Sequence, residues 1–459
     1  MSRMSSLRRW MGAAVLVAAT ALPLPAAAGV AEEGEKNGEL MGIEMKIRHF
    51  TLTNGMRVFV LEDHSTPMFS MHLGYGVGSR DEVKGRTGFA HFFEHMMYKG
   101  SANVPDGGHF RYVLGAGGKM NAFTTADRTQ YHCVLPSHYL ELALWLESDR
   151  LDSLAVTEEN FENQRQAVLE EKAMRIDNVP YTGALQAFFS DVWAGTGYGH
   201  PTIGSAEDLN AAKVEDVKAF FDKYYVPNNA VLAIVGDVDY EEVKAKVDSA
   251  FGDIPKGEAV PKHEPIDHTQ SKPLERTVED PLAQQPLYLV GWKTVPEDHP
   301  DRHAVEIMMN ALLRGDSARI TRILQDEKKL VIASVPIGSA SGGHDAGSAM
   351  AAFIPIPGKT FDDINAVINE EIATVKKSGI TAKELSKSVN QLTVDTVTSL
   401  GTNDGRANLI VTGALLYDDP TIVLSDLDKY RKVTVADIKR VANKYLTDNR
   451  LVLQVTPKK

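Results

Sequence analysis

Apolar runs and polar interruptions divide this chain into strand-like and helix-like segments. Met56 to Leu61 and Met68 to Tyr75 read as strands, and Met120 to Leu135 as one long strand or a hairpin. Gly88 to Tyr98 and Tyr139 to Leu151 read as helices. Glu158 to Arg175 reads as a long charged helix that ends before Asn178-Val179-Pro180, because the residue preceding a proline is pushed out of the helical region. Strands and helices mix without strict βαβ alternation. That favours an α+β fold, each unit an antiparallel or mixed sheet packed with helices.

The pattern also repeats. Val214-Glu-Asp216-Val-Lys-Ala-Phe-Phe-Asp-Lys223-Tyr224 returns as Val435-Ala-Asp437-Ile-Lys-Arg-Val-Ala-Asn-Lys444-Tyr445, at an offset of 221 residues. In both copies the helix closes on Lys-Tyr, turns at an asparagine (Asn228, Asn449) and enters a buried strand (Val231-Leu232, Val452-Leu453). A duplicated domain is the simplest account. Between the copies, Pro255, Pro261, Pro265, Pro273 and Pro281 stand among charged residues and read as an extended linker. The expected organisation is a leader at 1–28, a polar flexible lead-in at 29–43, a catalytic domain at 44–255, a linker at 256–279 and a homologous domain at 280–459.

Composition adds limits. With 459 residues, 43% hydrophobic and 24% charged, the chain can bury two sizeable cores. Beyond the first thirty positions no run approaches the ~18 apolar residues of a membrane span. Those first positions read as a secretory signal: Arg3, Arg8 and Arg9, an apolar stretch from Met11 to Leu22, then Ala26-Ala27-Ala28 as a small-residue cleavage site. The competing reading is an uncleaved anchor, for which the apolar run is short. A periplasmic or secreted location is expected. Removing the three leader arginines, with no acid lost, takes the formal charge from −12 to −15, a poor balance for nucleic-acid binding. The single cysteine, Cys133, excludes an internal disulfide framework and a cysteine zinc site.

Chemistry concentrates in His91-Phe92-Phe93-Glu94-His95. Histidines at i and i+4 share one side of a helix, with a glutamate beside the second. Two imidazoles in that register can grip one zinc ion, and the carboxylate can reach a water that the ion activates. Glu94 then suits the role of general base. The bland alternative is a buried amphipathic helix with two satisfied histidines. A third ligand is needed. Glu170 and Glu171 are adjacent in the charged helix, and spacing alone does not choose between them.

The motif, Gly76-Val-Gly-Ser79-Arg80-Asp-Glu82 before it, Lys99-Gly100 after it, Asn121-Ala122-Phe123-Thr124, Pro201-Thr-Ile203-Gly204 and Tyr225-Val-Pro227-Asn228-Asn229 together resemble the pitrilysin/insulinase-like zinc metallopeptidases, in their processing-peptidase-like branch. The resemblance covers nearly all of the chain after the leader. It implies one Zn²⁺ held by His91, His95 and Glu171 (three positions after Val168), with Glu170 as the fallback. It implies extended peptide bound by main-chain pairing along Asn121-Ala122. Where many members carry an auxiliary acid, this chain has Gln164. Where self-sufficient members carry an arginine and a tyrosine seven apart, Gln325 and Ile332 stand, with Arg319 and Arg322 as shifted substitutes and no tyrosine after them. Near Asn310 the second half has no second HxxEH. These departures imply the metal-bearing half of a heterodimer, an endopeptidase cutting unfolded or short peptides in a closed chamber, with a homologous subunit supplying the Arg/Tyr pair. The alternatives are a non-catalytic peptide-holding scaffold and a self-sufficient homodimer. Gly338 to Ser348 reads as a glycine-rich hairpin connection, with a substrate-touching loop as the alternative.

Overall fold

Runs of small and β-branched residues become the centres of two sheets. In the computed structural model, which describes residues 29–40, 43–260, 263–264, 266–337 and 344–458, the first sheet comprises β1 (Val30–Leu40), β2 (Ile43–Leu52), β3 (Arg57–Glu62), β4 (Met68–Tyr75), β5 (Lys119–Thr124), β6 (Thr129–Pro136) and β7 (Ala230–Gly236). Its order is β1-β2-β3-β7-β4-β6-β5. The second comprises β8 (Leu274–Asp280), β9 (Leu287–Lys293), β10 (Val331–Ile337), β11 (Ser348–Pro355) and β12 (Leu451–Pro457), in the order β10-β11-β9-β12-β8. The leader at 1–28, Pro261, Pro265 and Gly338–Gly343 lie outside the described residues.

The duplication is legible in the topology. β3-β7-β4-β6-β5 recurs as β8-β12-β9-β11-β10, each with one parallel pair, β3 with β7 and β8 with β12. The repeated sequence forms the helices Val214–Tyr224 and Val435–Tyr445, each feeding an interior strand of its sheet, β7 and β12. Every residue of β7 is buried, which explains its unbroken apolar run.

Two expectations need correction. Residues 30–40 of the supposed lead-in form β1, a strand paired antiparallel with β2 along its length. Its polar sequence, VAEEGEKNGEL, has no apolar face, so hydrophobic patterning misses it; ladder hydrogen bonds and ion pairs such as Glu33 with Lys244 hold it. The end of the expected linker, from Leu274, is β8, an outer strand of the second sheet.

The halves also exchange helices. Ala407, Ile410, Val411 and Ala414 of helix Asn403–Tyr417 pack on the first sheet in one core with Val231, Ala233 and Val235. Reciprocally, Phe188 and Val192 of helix Thr182–Val192 join Leu289, Leu453 and Val455 of the second sheet. Burying each large side chain of this kind contributes about 1.5–3 kcal/mol, so each sheet owes part of its packing to a helix from the other half. Among the described residues no helix is long and apolar enough to cross a membrane.

Candidate metal centre and peptide-binding edge

The motif helix, Phe89–Met96, is placed by its buried face and by its first turn. Phe89, Ala90, Phe92, Phe93 and Met96 are buried, and Phe93 stacks on Phe221, leaving His91, Glu94 and His95 on the partly open side. The Glu82 carboxylate accepts the backbone N–H of Gly88 (2.7 Å) and of Ala90 (2.8 Å), satisfying donors that a helix start otherwise leaves unpaired. Gly88 has φ of 91°, and a Cβ there would lie 2.6 Å from the Ile203 carbonyl oxygen. Gly88→Ala is therefore expected to destabilise the protein by about 1–3 kcal/mol and to weaken zinc binding. Denaturant unfolding and competitive zinc titration measure the two effects; an unchanged zinc affinity would separate this turn from the site.

The structure brings His91, His95 and Glu171 together, their donor atoms all within 4.8 Å of one another. Glu171 Oε2 lies 3.5 Å from His91 Nε2 and 3.2 Å from His95 Nε2. Zinc–ligand bonds of about 2.0–2.1 Å place tetrahedral ligands about 3.3 Å apart, so these separations are the edges of a site that fits zinc. Helix Glu158–Lys172 presents Glu171 inward, with Val168 buried below it, and leaves Glu170 exposed. The choice that spacing left open is thereby made by helix orientation. The other Glu171 oxygen accepts from Arg175 at 2.7 Å, and Gln164 hydrogen-bonds His95. Burial, with His95 adjacent, pushes the His91 imidazole down to about 4, and burial lowers His95 too. Both rings are thus neutral near pH 7, the state that ligates a metal. His91 Nδ1 is buried without a partner.

Glu94 stands apart from that trio. Its Oε2 accepts the Thr124 hydroxyl at 2.6 Å, and burial pushes its carboxyl up to about 7 against that hydrogen bond. Thr124 closes β5, which among the described residues pairs only with β6 and so lies at the edge of its sheet. Asn121 and Ala122 lie on the same strand, opposite His132 and Tyr131 of β6. One short strand therefore joins the candidate peptide edge to the carboxylate. Beside it a cavity of about 500 Å³ is bordered by His91, Glu171, Phe189, Trp193 and Tyr198. Thr124, Glu82 and Arg175 carry no separate signal in the sequence. Thr124 lies 30 residues from Glu94, and only folding makes them neighbours.

In the second half, Arg319 is committed to Glu384, Nε to Oε1 at 2.7 Å, and Arg322 to Glu327. The Arg322 pair is half-exposed, and no tyrosine stands at 319–332. Ile332 is exposed on β10, Gln325 lies in the short π-helical segment Ile323–Glu327 before it, and Asn310 sits in helix Arg302–Leu313. β10 and β11 pair antiparallel; of the segment between them, read as Gly338 to Ser348, residues 338–343 lie outside the described residues. Its described end docks on the first half: the His344 N–H donates to Asp127 (2.6 Å), and Arg80 pairs with Asp345 (2.9 Å). Cys133 is buried and its thiol is pushed up by burial, as suits an inert core residue.

Known proteins share this sequence and fold. A zinc protease of Helicobacter pylori, PqqE, is 27% identical over 408 residues, covering 87% of this chain and 90% of its own. The crystal structure of a protease from Helicobacter pylori superposes with a TM-score of 0.84 at 26% identity, over 90% of this chain and all of that one. Pitrilysin shares the fold with a TM-score of 0.74 at 18% identity; 93% of this chain overlays 47% of it. Residues 57–206 match the family described as insulinase (peptidase family M16) and residues 211–392 the M16 inactive domain. Both halves of the duplication fall within one family, and the chain belongs to the pitrilysin/insulinase-like M16 peptidases.

Proposed function

We propose that this protein is a zinc-dependent endopeptidase subunit, the metal-bearing half of a heterodimer, acting on unfolded or short peptides in the periplasm. The observation that carries the reading is the pairing of a His91–His95–Glu171 cluster with a separate, partly buried carboxylate, Glu94, on the same helix. His91, His95 and Glu171 hold the ion. Bound zinc supplies Lewis acidity and lowers the pKa of a coordinated water towards ~7. Glu94 takes the proton from the attacking water and later delivers it to the leaving amine. Thr124 fixes the Glu94 carboxylate while β5 aligns the peptide backbone along Asn121-Ala122, so binding discriminates little between sequences. The matching half offers no free arginine–tyrosine pair at the described positions 319–332, which supports a partner that stabilises the developing oxyanion. The leader residues Arg3, Arg8 and Arg9 support export.

The test is metal content and cleavage of an unfolded peptide by the chain alone and with a homologous subunit carrying the Arg/Tyr pair. Expected is one zinc in the cluster, weak cleavage alone and strong cleavage with the partner. Glu171→Gln should lower zinc affinity at least about 10-fold, as loss of a ligand does when changes beyond the ligands alone cost 10–100-fold, whereas Glu170→Gln leaves it unchanged. Full activity of the chain alone favours a homodimer; zinc without cleavage in the complete pair favours a scaffold.

A further inference from the structure

A second histidine–carboxylate cluster lies where the two halves meet. His72 of β4 and His132 of β6 stand opposite one another in register, ring centroids 4.8 Å apart. Asp404, in the first turn of helix Asn403–Tyr417, reaches them from the other half of the chain. Its Oδ1 lies 2.9 Å from His72 Nε2 and 3.2 Å from His132 Nδ1. Among the described residues, this trio and the His91–His95–Glu171 trio are the two groups whose donor atoms converge within 4.8 Å.

We propose that His72, His132 and Asp404 form a second divalent-metal site that fastens helix Asn403–Tyr417 to the first sheet. Its donors are two imidazole nitrogens and a carboxylate oxygen, which suit Zn²⁺, Co²⁺ or Ni²⁺ rather than the oxygen-seeking Ca²⁺ or Mg²⁺. The two carboxylate–imidazole separations are at or just below the about 3.3 Å edge of a tetrahedral zinc site, and the two imidazole nitrogens lie within 4.8 Å of one another, so small side-chain movements suffice for loading. His72 is buried, but the side chain of His132 is 22% exposed and that of Asp404 46%, so an ion enters from the rim and a water completes its shell.

Protons balance without release. In the empty site Gln130 Nε2 donates to His72 Nδ1 at 2.6 Å, which leaves the ring proton on Nε2 for Asp404. Burial keeps the His72 ring neutral, and the two histidines hold the Asp404 carboxyl well below the usual range. On loading, each imidazole keeps one proton and moves it to the nitrogen away from the ion. The Gln130 amide turns so that its oxygen accepts from His72 Nδ1–H, giving up its contacts with Arg128 Nε at 3.2 Å and Asn408 Oδ1 at 3.0 Å, and the Asn408 amide turns with it to present its NH₂ to the Gln130 oxygen. A hydrogen bond on the far nitrogen of this kind orients metal-bound histidines generally. The trio then links β4 and β6 to a helix more than 250 positions along the chain, tying together the halves whose packing forms one core.

The test counts ions and does not depend on the catalytic reading. Metal-free full-length protein is titrated with Co²⁺ and with Zn²⁺, and bound metal is measured after desalting. Expected are two equivalents for the parent chain, one for His91→Ala/His95→Ala, and none when His132→Ala is added to that pair. Zinc should raise the melting temperature of the double variant but not of the triple. No bound metal in the folded double variant, under conditions where the parent holds one ion, overturns the proposal. Should the double variant not fold, the count is made on the intact chain. Two equivalents falling to one in His132→Ala support the site, and one equivalent in both overturns it.

Discussion

Glu94→Gln is expected to lower peptide cleavage about 10²–10⁴-fold, the scale on which positioned proton transfer contributes, while the protein keeps its zinc. The substitution is nearly isosteric. The Gln oxygen can still accept the Thr124 hydroxyl that now reaches Glu94 at 2.6 Å. The motif helix should hold its place, because its anchors are the Glu82 cap and the buried face through Phe93, not Glu94. What disappears is the ability to accept a proton. The loss should therefore fall on kcat with KM little changed, the signature of an interaction used beyond the ground state. Thr124→Val is the milder companion: it removes one hydrogen bond to a group that stays in place, and a smaller fall in kcat is expected. Steady-state kinetics on the reconstituted pair, with zinc measured on the same samples, checks both. Cleavage by Glu94→Gln at the parent rate would remove Glu94 from the mechanism.

The largest effect on stability is expected at Arg150. Its side chain is fully buried in helix Leu140–Ser153, where Nε and Nη2 bind Glu147 at 2.9 and 2.6 Å. The guanidinium lies 4.3 Å from the centre of the Tyr131 ring and 5.2 Å from that of Tyr98. Arg150→Ala leaves the Glu147 carboxylate uncompensated in the core, and breaking a buried pair in this way costs about 3–5 kcal/mol. Removing both charges should cost much less: Arg150→Met with Glu147→Leu fills the volume and leaves nothing charged to desolvate, an exchange that is often neutral. Chemical denaturation of the single and double variants gives the comparison. A loss below about 1 kcal/mol for Arg150→Ala, the scale of an exposed ion pair, would show that water reaches the pair. The consequences extend to the site, because Tyr131 lies on β6, opposite Ala122 of the proposed peptide-binding edge.

Several of these features are written locally in the chain. Met68 to Tyr75 forms β4 with the same limits, because a strand buried on both faces is mostly apolar, here with Ser70 and His72 as its buried polar exceptions. Met120 to Leu135 resolves as the hairpin β5–β6, one of its two readings. His91, Glu94 and His95 share a helical face because 3.6 residues per turn bring i, i+3 and i+4 together wherever a helix forms. The duplication, too, is visible as a constant offset, and it reappears as two sheets of matching strand order.

Other features depend on contacts between segments far apart, to which local periodicity is blind. β1 is polar because only its backbone is needed for pairing, so it looked like a tail. Spacing alone does not separate Glu170 from Glu171, which only the family register favours; helix Glu158–Lys172 turns Val168 into the core and Glu171 towards the histidines. Thr124 meets Glu94, and Asp404 meets His72 and His132, only after separate elements have packed. By itself the sequence determined which residues are chemically capable and which helix carries them, since those properties follow from residue type and the repeat of the helix. The tertiary structure alone decided how Glu171 is turned towards the histidines, what holds Glu94 and how the halves exchange helices. Those are properties of close packing, where one buried face fixes the direction of every side chain around it.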